Sequence, residues 1–103
     1  MNIPKSMRIL GRTWKIKMQG DLCGMEGTPA MGLCEFATKT IYIDPDMNDV
    51  ELIETFVHEW LHALWHEVGI FEEDIPEWVE HIIIVAISKE IAYNRDTWIK
   101  LLD

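Results

Sequence analysis

Residues 48–69 have the sequence NDVELIETFVHEWLHALWHEVG, and this stretch predicts one long amphipathic helix. Its apolar residues recur at spacings of three and four, at Ile53, Val57, Leu61, Leu64 and Val68. Asn48 followed by Glu51 is a variant of the capping box that begins a helix, and Gly69 is a typical helix stop. We therefore expect a helix of about five turns.

Inside this helix lies the pattern His58-Glu59-Trp60-Leu61-His62. Two histidines four residues apart on a helix lie about 6 Å apart along its axis, so both imidazoles can bind one metal ion. Zinc suits such a pair because it is a Lewis acid without redox chemistry. Glu59 is too close to His58 to be a further ligand, yet it is well placed to polarise a water molecule. The pattern predicts a Zn²⁺ site with His58 and His62 as ligands and Glu59 as the catalytic residue.

His66 continues the four-residue spacing of the two histidines but does not fit the same metal ion. On an unbroken helix it lies about 12 Å from His58 along the axis, with His62 between them. We therefore expect His66 at the surface or behind the ligands.

A second helix is predicted to supply the third ligand. It is expected to begin at Asp74, with Pro76 in its first turn, and to end near Asn94. Three of its side chains share one face, opposite an isoleucine-rich stripe: Glu77, Glu80 and His81. We favour Glu80 as the third ligand and Glu77 as the carboxylate that orients a metal-bound imidazole, although Glu77 or His81 could exchange roles with Glu80.

In the first half of the chain, the hydrophobic pattern has the two-residue period that is typical of β-strands. The stretch Arg8–Met18 alternates polar and apolar residues from Thr13 onward, and 33–36 and 40–43 form two short strands of a hairpin. Between the Arg8–Met18 strand and this hairpin, residues 19–32 contain four glycines and predict a long loop. The expected fold class is α+β: a small antiparallel sheet of about three strands, then the active-site helix and the glutamate-bearing helix.

Composition limits what this chain can do. Its 103 residues are enough for a single domain, predicted to span 1–103, and 49 % apolar residues predict a folded core. A net charge of −9 argues against binding to nucleic acid or to an anionic membrane. Neither a secretion signal nor a run of eighteen apolar residues is evident, so a cytoplasmic protein with reduced cysteines is expected. All five tryptophans are expected to pack in the core or between helices.

The arrangement of these motifs resembles the zincin metallopeptidases, and within them the glutamate-ligand branch called gluzincins. The resemblance rests on TFVHEWLHALW at 55–65, PEWVE at 76–80, NRD at 94–96 and the preceding TIYID at 40–44. Within this branch, the chain is most similar to the small versions of the domain found in phages and mobile elements. The resemblance implies a peptidase whose zinc is held by His58, His62 and Glu80, with a protein or peptide substrate bound as a strand added to the sheet. Ile83 departs from the family, which usually has a small residue three positions after the glutamate.

Two other functions compete with this interpretation. One is a regulatory or binding module in which Cys23 and Cys34 join the two histidines in a closed structural zinc site. The other is a metal hydrolase of non-peptide substrates, RNA included, against which the acidic charge argues. The sequence leaves the substrate, the oligomeric state and the residue that would stabilise an oxyanion, His81 or Tyr93, undetermined.

Overall fold

The computed structural model describes residues 3–24, 27–69 and 74–102, of which the last two are described without their side chains. The strands are β1 (Ser6–Ile9), β2 (Arg12–Met18), β3 (Leu22–Cys23), β4 (Pro29–Ala30), β5 (Gly32–Glu35) and β6 (Thr40–Ile43). The helices are α1 (Asp49–Val68), α2 (Glu77–Tyr93) and α3 (Arg95–Leu102). Across these described ranges, no helix combines the length and the apolar character needed to cross a bilayer.

Four strands form a mixed sheet in the order β1-β2-β6-β5, and β3 pairs with β4 separately. The α+β class is confirmed. The prediction of an antiparallel sheet of about three strands was wrong, because β2 and β6 run parallel, with Lys15 opposite Thr40. Two antiparallel hairpins, β1–β2 and β5–β6, lie side by side through this parallel pair. Alternating hydrophobicity predicts that a segment is a strand but does not choose its neighbour.

The strand predicted over Arg8–Met18 is in fact a hairpin. The chain turns at Leu10 and Gly11, whose φ angles are 47° and 82°. A two-residue connection with both φ angles positive matches the right-handed twist of the strands it joins. Glycine adopts this conformation without strain, so Gly11 was the sequence signal for the turn.

The hairpin predicted from 33–36 and 40–43 is confirmed, with β5 and β6 joined by residues 36–39. The region predicted as a loop, residues 19–32, contains the short β3–β4 pair, in which Leu22 is buried. Gly32, the last residue of that predicted loop, instead begins β5.

Helix α1 has the predicted ends. The side chain of Asn48 accepts a hydrogen bond from the backbone N–H of Glu51 at 2.9 Å, and Gly69 ends the helix with φ 84°. Helix α2 begins at Glu77 instead of Asp74, because Pro76 has an extended backbone and lies just before the helix. The carbonyl of Pro76 accepts the N–H groups of Val79 and Glu80.

The core lies between the sheet and α1, where Trp14, Ile41 and Ala63 are fully buried. Helix α2 packs on the other side of α1 and buries Ile84, Ser88 and Ala92. Its opposite side, which we call the outer face of α2, exposes Trp78, Ile82, Ile83 and Ile87. The expectation that every tryptophan is packed was therefore wrong for Trp78, which is 67 % exposed, and for Trp98, which is 44 % exposed. Helical periodicity identifies an apolar stripe but not what covers it.

Candidate metal centre

A cleft of about 410 Å³ lies where α1, α2 and β5 meet. Its walls are Leu33, Cys34 and Phe36 from β5 and the following turn, Glu59, His62, Trp65 and His66 from α1, and Glu77, Glu80 and His81 from α2. The structure thus brings Glu59 and His62 together with all three side chains that the sequence placed on one face of the second helix.

The two histidines of the motif face each other across one turn of α1. The Nε2 atoms of His58 and His62 are 3.2 Å apart, and the rings are 4.9 Å apart between centroids. Two nitrogens bound to one tetrahedral zinc ion at 2.0–2.1 Å lie about 3.3 Å from each other. The observed spacing therefore fits a shared metal ion, and without metal it is also the length of a hydrogen bond between the rings.

Glu80 contacts the pair from α2. Its Oε1 lies 3.1 Å from Nδ1 of His62, on the opposite side of the ring from His58. An ionised carboxylate only accepts hydrogen bonds, so Nδ1 carries the proton and, in the neutral ring, Nε2 keeps its lone pair. This is the outer contact that commonly orients a metal-bound histidine, the role that the sequence analysis gave to Glu77.

His81 approaches the pair from the same helix, and its ring lies 5.9 Å from that of His58 between centroids. Glu77 lines the cleft beside it but is exposed. Among the residues that the structure describes, no three side chains converge closely enough to form a complete metal site. The contact with Glu80 and the position of His81 nevertheless place both possible ligand types next to the histidine pair.

Burial sets the protonation of His58 and Glu59. Burial, assisted by the nearby His62 and His81, lowers the pKa of His58 to about 4, so its imidazole is neutral at pH 7. Burial raises the pKa of Glu59 to about 7. Glu59 is only 8 % exposed, and its carboxylate has no hydrogen-bond or ion-pair partner within the described ranges. A carboxyl group with a pKa near neutrality can both accept and return a proton at physiological pH.

The two cysteines lie in different places. Cys34 lines the cleft, where burial and the nearby Glu59 raise the pKa of its thiol to about 12. Cys23 is exposed and lines a separate depression with Tyr42 and Glu35. The closed site of two histidines and two cysteines has no support in this arrangement.

His66 is exposed, in agreement with the surface position predicted as one possibility, and it also lines the cleft. Its ring stacks on Phe36 at 4.5 Å, with an angle of 16° between the planes. Tyr93, at the end of α2, is 68 % exposed and is not part of the cleft. Sequence reasoning missed Phe36, because nothing in the turn after β5 indicates that this ring meets α1.

We compared the chain with models of known protein families, with curated proteins and with solved structures, and none of them matches it. The function must therefore be inferred from the residues of the cleft.

Proposed function

We propose that this chain is a zinc-dependent metallopeptidase whose active site is the cleft between α1, α2 and β5. The observation that carries the proposal is the pair of Nε2 atoms 3.2 Å apart, together with the buried side chain of Glu59, which lines the same cleft as His62. When bound, zinc supplies a Lewis acid that polarises a carbonyl and lowers the pKa of water.

Each residue of the motif then has a defined task. His58 and His62 present their Nε2 lone pairs to the metal, and Glu80 holds the ring of His62 through Nδ1. Glu59 accepts a proton from the attacking water and donates it to the nitrogen of the departing amine. Its lack of a competing cation among the described residues leaves the carboxylate free for this transfer.

Strand β5 supports a peptide as the substrate. It is an edge strand of the sheet, and its residues form one wall of the cleft. An extended peptide can add to such an edge through its backbone groups. Leu33 and Phe36 on this wall, and Trp65 on the α1 wall, give the cleft an apolar character, so we expect an apolar side chain next to the cleaved bond.

The third protein ligand comes from α2 in this proposal. Glu80 remains the candidate indicated by the family resemblance, but its observed contact with Nδ1 would have to be exchanged for one with the metal. His81 is the alternative, with Glu80 kept as the orienting carboxylate. A variant that lacks a true ligand should lose zinc, whereas a variant that lacks an orienting carboxylate should bind zinc only about 10- to 100-fold more weakly.

Zinc analysis combined with peptide cleavage tests the proposal. We expect the purified wild-type protein to bind one zinc ion and to cleave peptides from a library, and His58→Ala and His62→Ala to lose the metal. Glu59→Gln should retain zinc while kcat falls about 10³-fold. His66→Ala is the matched control on the same helix and should keep the metal. A zinc-loaded protein that cleaves no peptide, or a Glu59→Gln variant with full activity, would refute the peptidase.

Zinc affinities of Glu80→Gln, His81→Ala and Glu77→Gln identify the third ligand. The variant with the largest loss marks the ligand. If none of the three loses more than about 100-fold, the assignment of the third ligand to α2 is wrong.

A further inference from the structure

Gly32 opens strand β5 directly opposite the motif helix. A Cβ atom at this position would lie 2.8 Å from Cγ2 of Thr55 and 2.9 Å from Cγ of Glu59. It would also lie 3.0 Å from Oε2 of Glu59. Real Cβ atoms essentially never come closer than 3.0 Å to another heavy atom, so Thr55 or Glu59 would have to shift to admit any other residue here.

The backbone conformation of Gly32 does not itself require glycine. Its φ angle is not positive, in contrast to those of Gly11, Gly27 and Gly69. Gly32 pairs regularly with Ile43 in the β5–β6 hairpin. Close approach of the strand to the helix is therefore the reason for glycine at this position.

Two depressions meet at this contact. Glu59 lines both the main cleft and a neighbouring depression of about 220 Å³ that Gly32, Thr55 and His58 also line. Cys34, two residues further along β5, again faces α1 because alternate residues of a strand share a face. At Gly32 the strand therefore presents bare backbone to Glu59, and the carboxylate is packed between the strand and its own helix.

We infer that Gly32 is a positioning residue, whose missing side chain lets the edge strand hold the Glu59 carboxylate at the point where the strand presents the substrate. This inference rests on the proposed peptidase function for its kinetic consequence. The packing contact itself does not depend on that function.

Replacement of Gly32 by alanine tests the inference. The added methyl group should displace the side chain of Glu59, because that flexible side chain can move more readily than the β-branched side chain of Thr55. A displacement of about 1 Å at a catalytic group lowers kcat by about 100-fold. We expect KM and zinc affinity to stay within about threefold of wild type, because the added Cβ atom points at α1, away from the hydrogen-bonding edge of β5, and the histidine pair is not among the atoms it meets. Gly20→Ala is the matched control, since nothing lies within 4 Å of a Cβ atom there and its φ angle is not positive.

A second substitution should rescue part of the activity. Thr55→Ser removes the methyl group closest to the added Cβ and keeps the hydroxyl that contacts Met47 at 3.4 Å. In the Gly32→Ala background we expect it to restore kcat by about tenfold, because the added methyl group then has room beside Thr55. Should Gly32→Ala not fold, the same measurements on the double variant decide the question.

A readout without catalysis separates this inference from the proposed function. In metal-free protein, the ¹³C signal of the Glu59 side-chain carboxyl should shift in Gly32→Ala, remain unchanged in Gly20→Ala and return toward wild type in the double variant. If the wild type cleaves no peptide while these shifts appear, the peptidase is wrong and the packing role of Gly32 stands. An unchanged carboxyl signal in Gly32→Ala, or kcat equal to wild type, overturns the inference. Equal losses of zinc affinity and kcat also overturn it, because Gly32 would then support the histidine pair and not Glu59.

Discussion

Glu59 is the residue at which stability and the proposed activity conflict most directly. Burial raises its pKa from 4.5 to about 7, so the folded, metal-free protein disfavours the ionised carboxylate. The folded state therefore binds more protons than the unfolded state between these pH values. The resulting loss of stability is absent below about pH 4.5 and grows as the pH rises through 7.

We expect Glu59→Gln to stabilise the metal-free protein at high pH. A shift of this size corresponds to about 3 kcal/mol at most, so a gain of about 1–3 kcal/mol is expected at pH 8 and almost none at pH 4. Chemical denaturation with a chelator present measures both values. Glu51→Gln, an exposed carboxyl of the same helix, should change the free energy of unfolding by less than about 0.5 kcal/mol at either pH. A gain that is the same at both pH values would show that ionisation of Glu59 is not its cause.

The two thiols should differ sharply in reactivity. The thiolate is the reactive form of cysteine, and burial raises the pKa of Cys34 to about 12, whereas Cys23 is exposed. We expect an alkylating reagent at pH 8 to modify the native, metal-free protein once, at Cys23. Mass spectrometry after digestion identifies the site, and unfolding in urea should make both cysteines reactive. Rapid labelling of Cys34 in the native protein would contradict the burial described for this wall of the cleft.

At the scale of elements, Glu67 connects the end of α1 to the sheet. Its carboxylate accepts hydrogen bonds from Nζ of Lys39 and from Nε1 of the buried Trp14, and Arg12 lies nearby. The hydrogen bond from Lys39 holds the pKa of this carboxyl below its ordinary value of 4.5. A lowered pKa means that the stabilisation is present above pH 4.5 and is lost as the pH falls through the pKa of the folded protein.

Glu67→Gln tests this connection by its pH dependence. We expect the variant to be less stable than wild type at pH 7, and the difference to shrink steadily as the solution is acidified below pH 4.5. Thermal unfolding followed by circular dichroism at several pH values measures this trend. Glu90→Gln is the control and should show a smaller dependence, because among the described residues this α2 carboxyl accepts a hydrogen bond only from Asn94. A difference that is independent of pH would mean that the charge of Glu67 is not what holds α1 to the sheet.

Comparison of elements shows what local sequence can predict. The two ends of α1 were predictable, because Asn48 and Gly69 act on backbone groups within a few residues. The histidine pair was predictable for the same reason, since helix geometry alone brings the two rings together. The parallel pairing of β2 with β6 was not, because it joins segments that have no local sequence relation. The need for glycine at position 32 was not predictable either, because the side chains that leave no room for a Cβ atom belong to α1.

At the scale of the whole molecule, two long-range effects oppose each other. The net charge of −9 keeps copies of the chain apart, whereas the outer face of α2 offers apolar surface, with Ile82 at 58 % exposed. Charge repulsion is screened by salt, since the Debye length falls from about 30 Å at 0.01 M to about 3 Å at 1 M. Apolar attraction is not screened in this way.

We therefore expect self-association to increase with salt. Light scattering should report a monomer in 20 mM NaCl and a larger mean mass in 1 M NaCl. Ile82→Glu should suppress the increase, whereas Met18→Glu, which adds the same charge at an exposed site of β2, should suppress it less. A mass that does not depend on salt, or equal effects of the two substitutions, would show that the outer face of α2 is not responsible.

The parallel pair of β2 and β6 also bears on how the chain reaches this structure. Each hairpin can close locally, but Lys15 meets Thr40 only after the chain between them has been confined, at a cost in loop entropy. Contacts of this kind form late, so we expect the joining of the two hairpins to limit the folding rate. The wall formed by β5 belongs to the hairpin that has the more extensive contact with α1. Separation of β1–β2 would therefore leave the proposed catalytic wall attached to its helix, and the amide protons of β1 should exchange with solvent before those of β6.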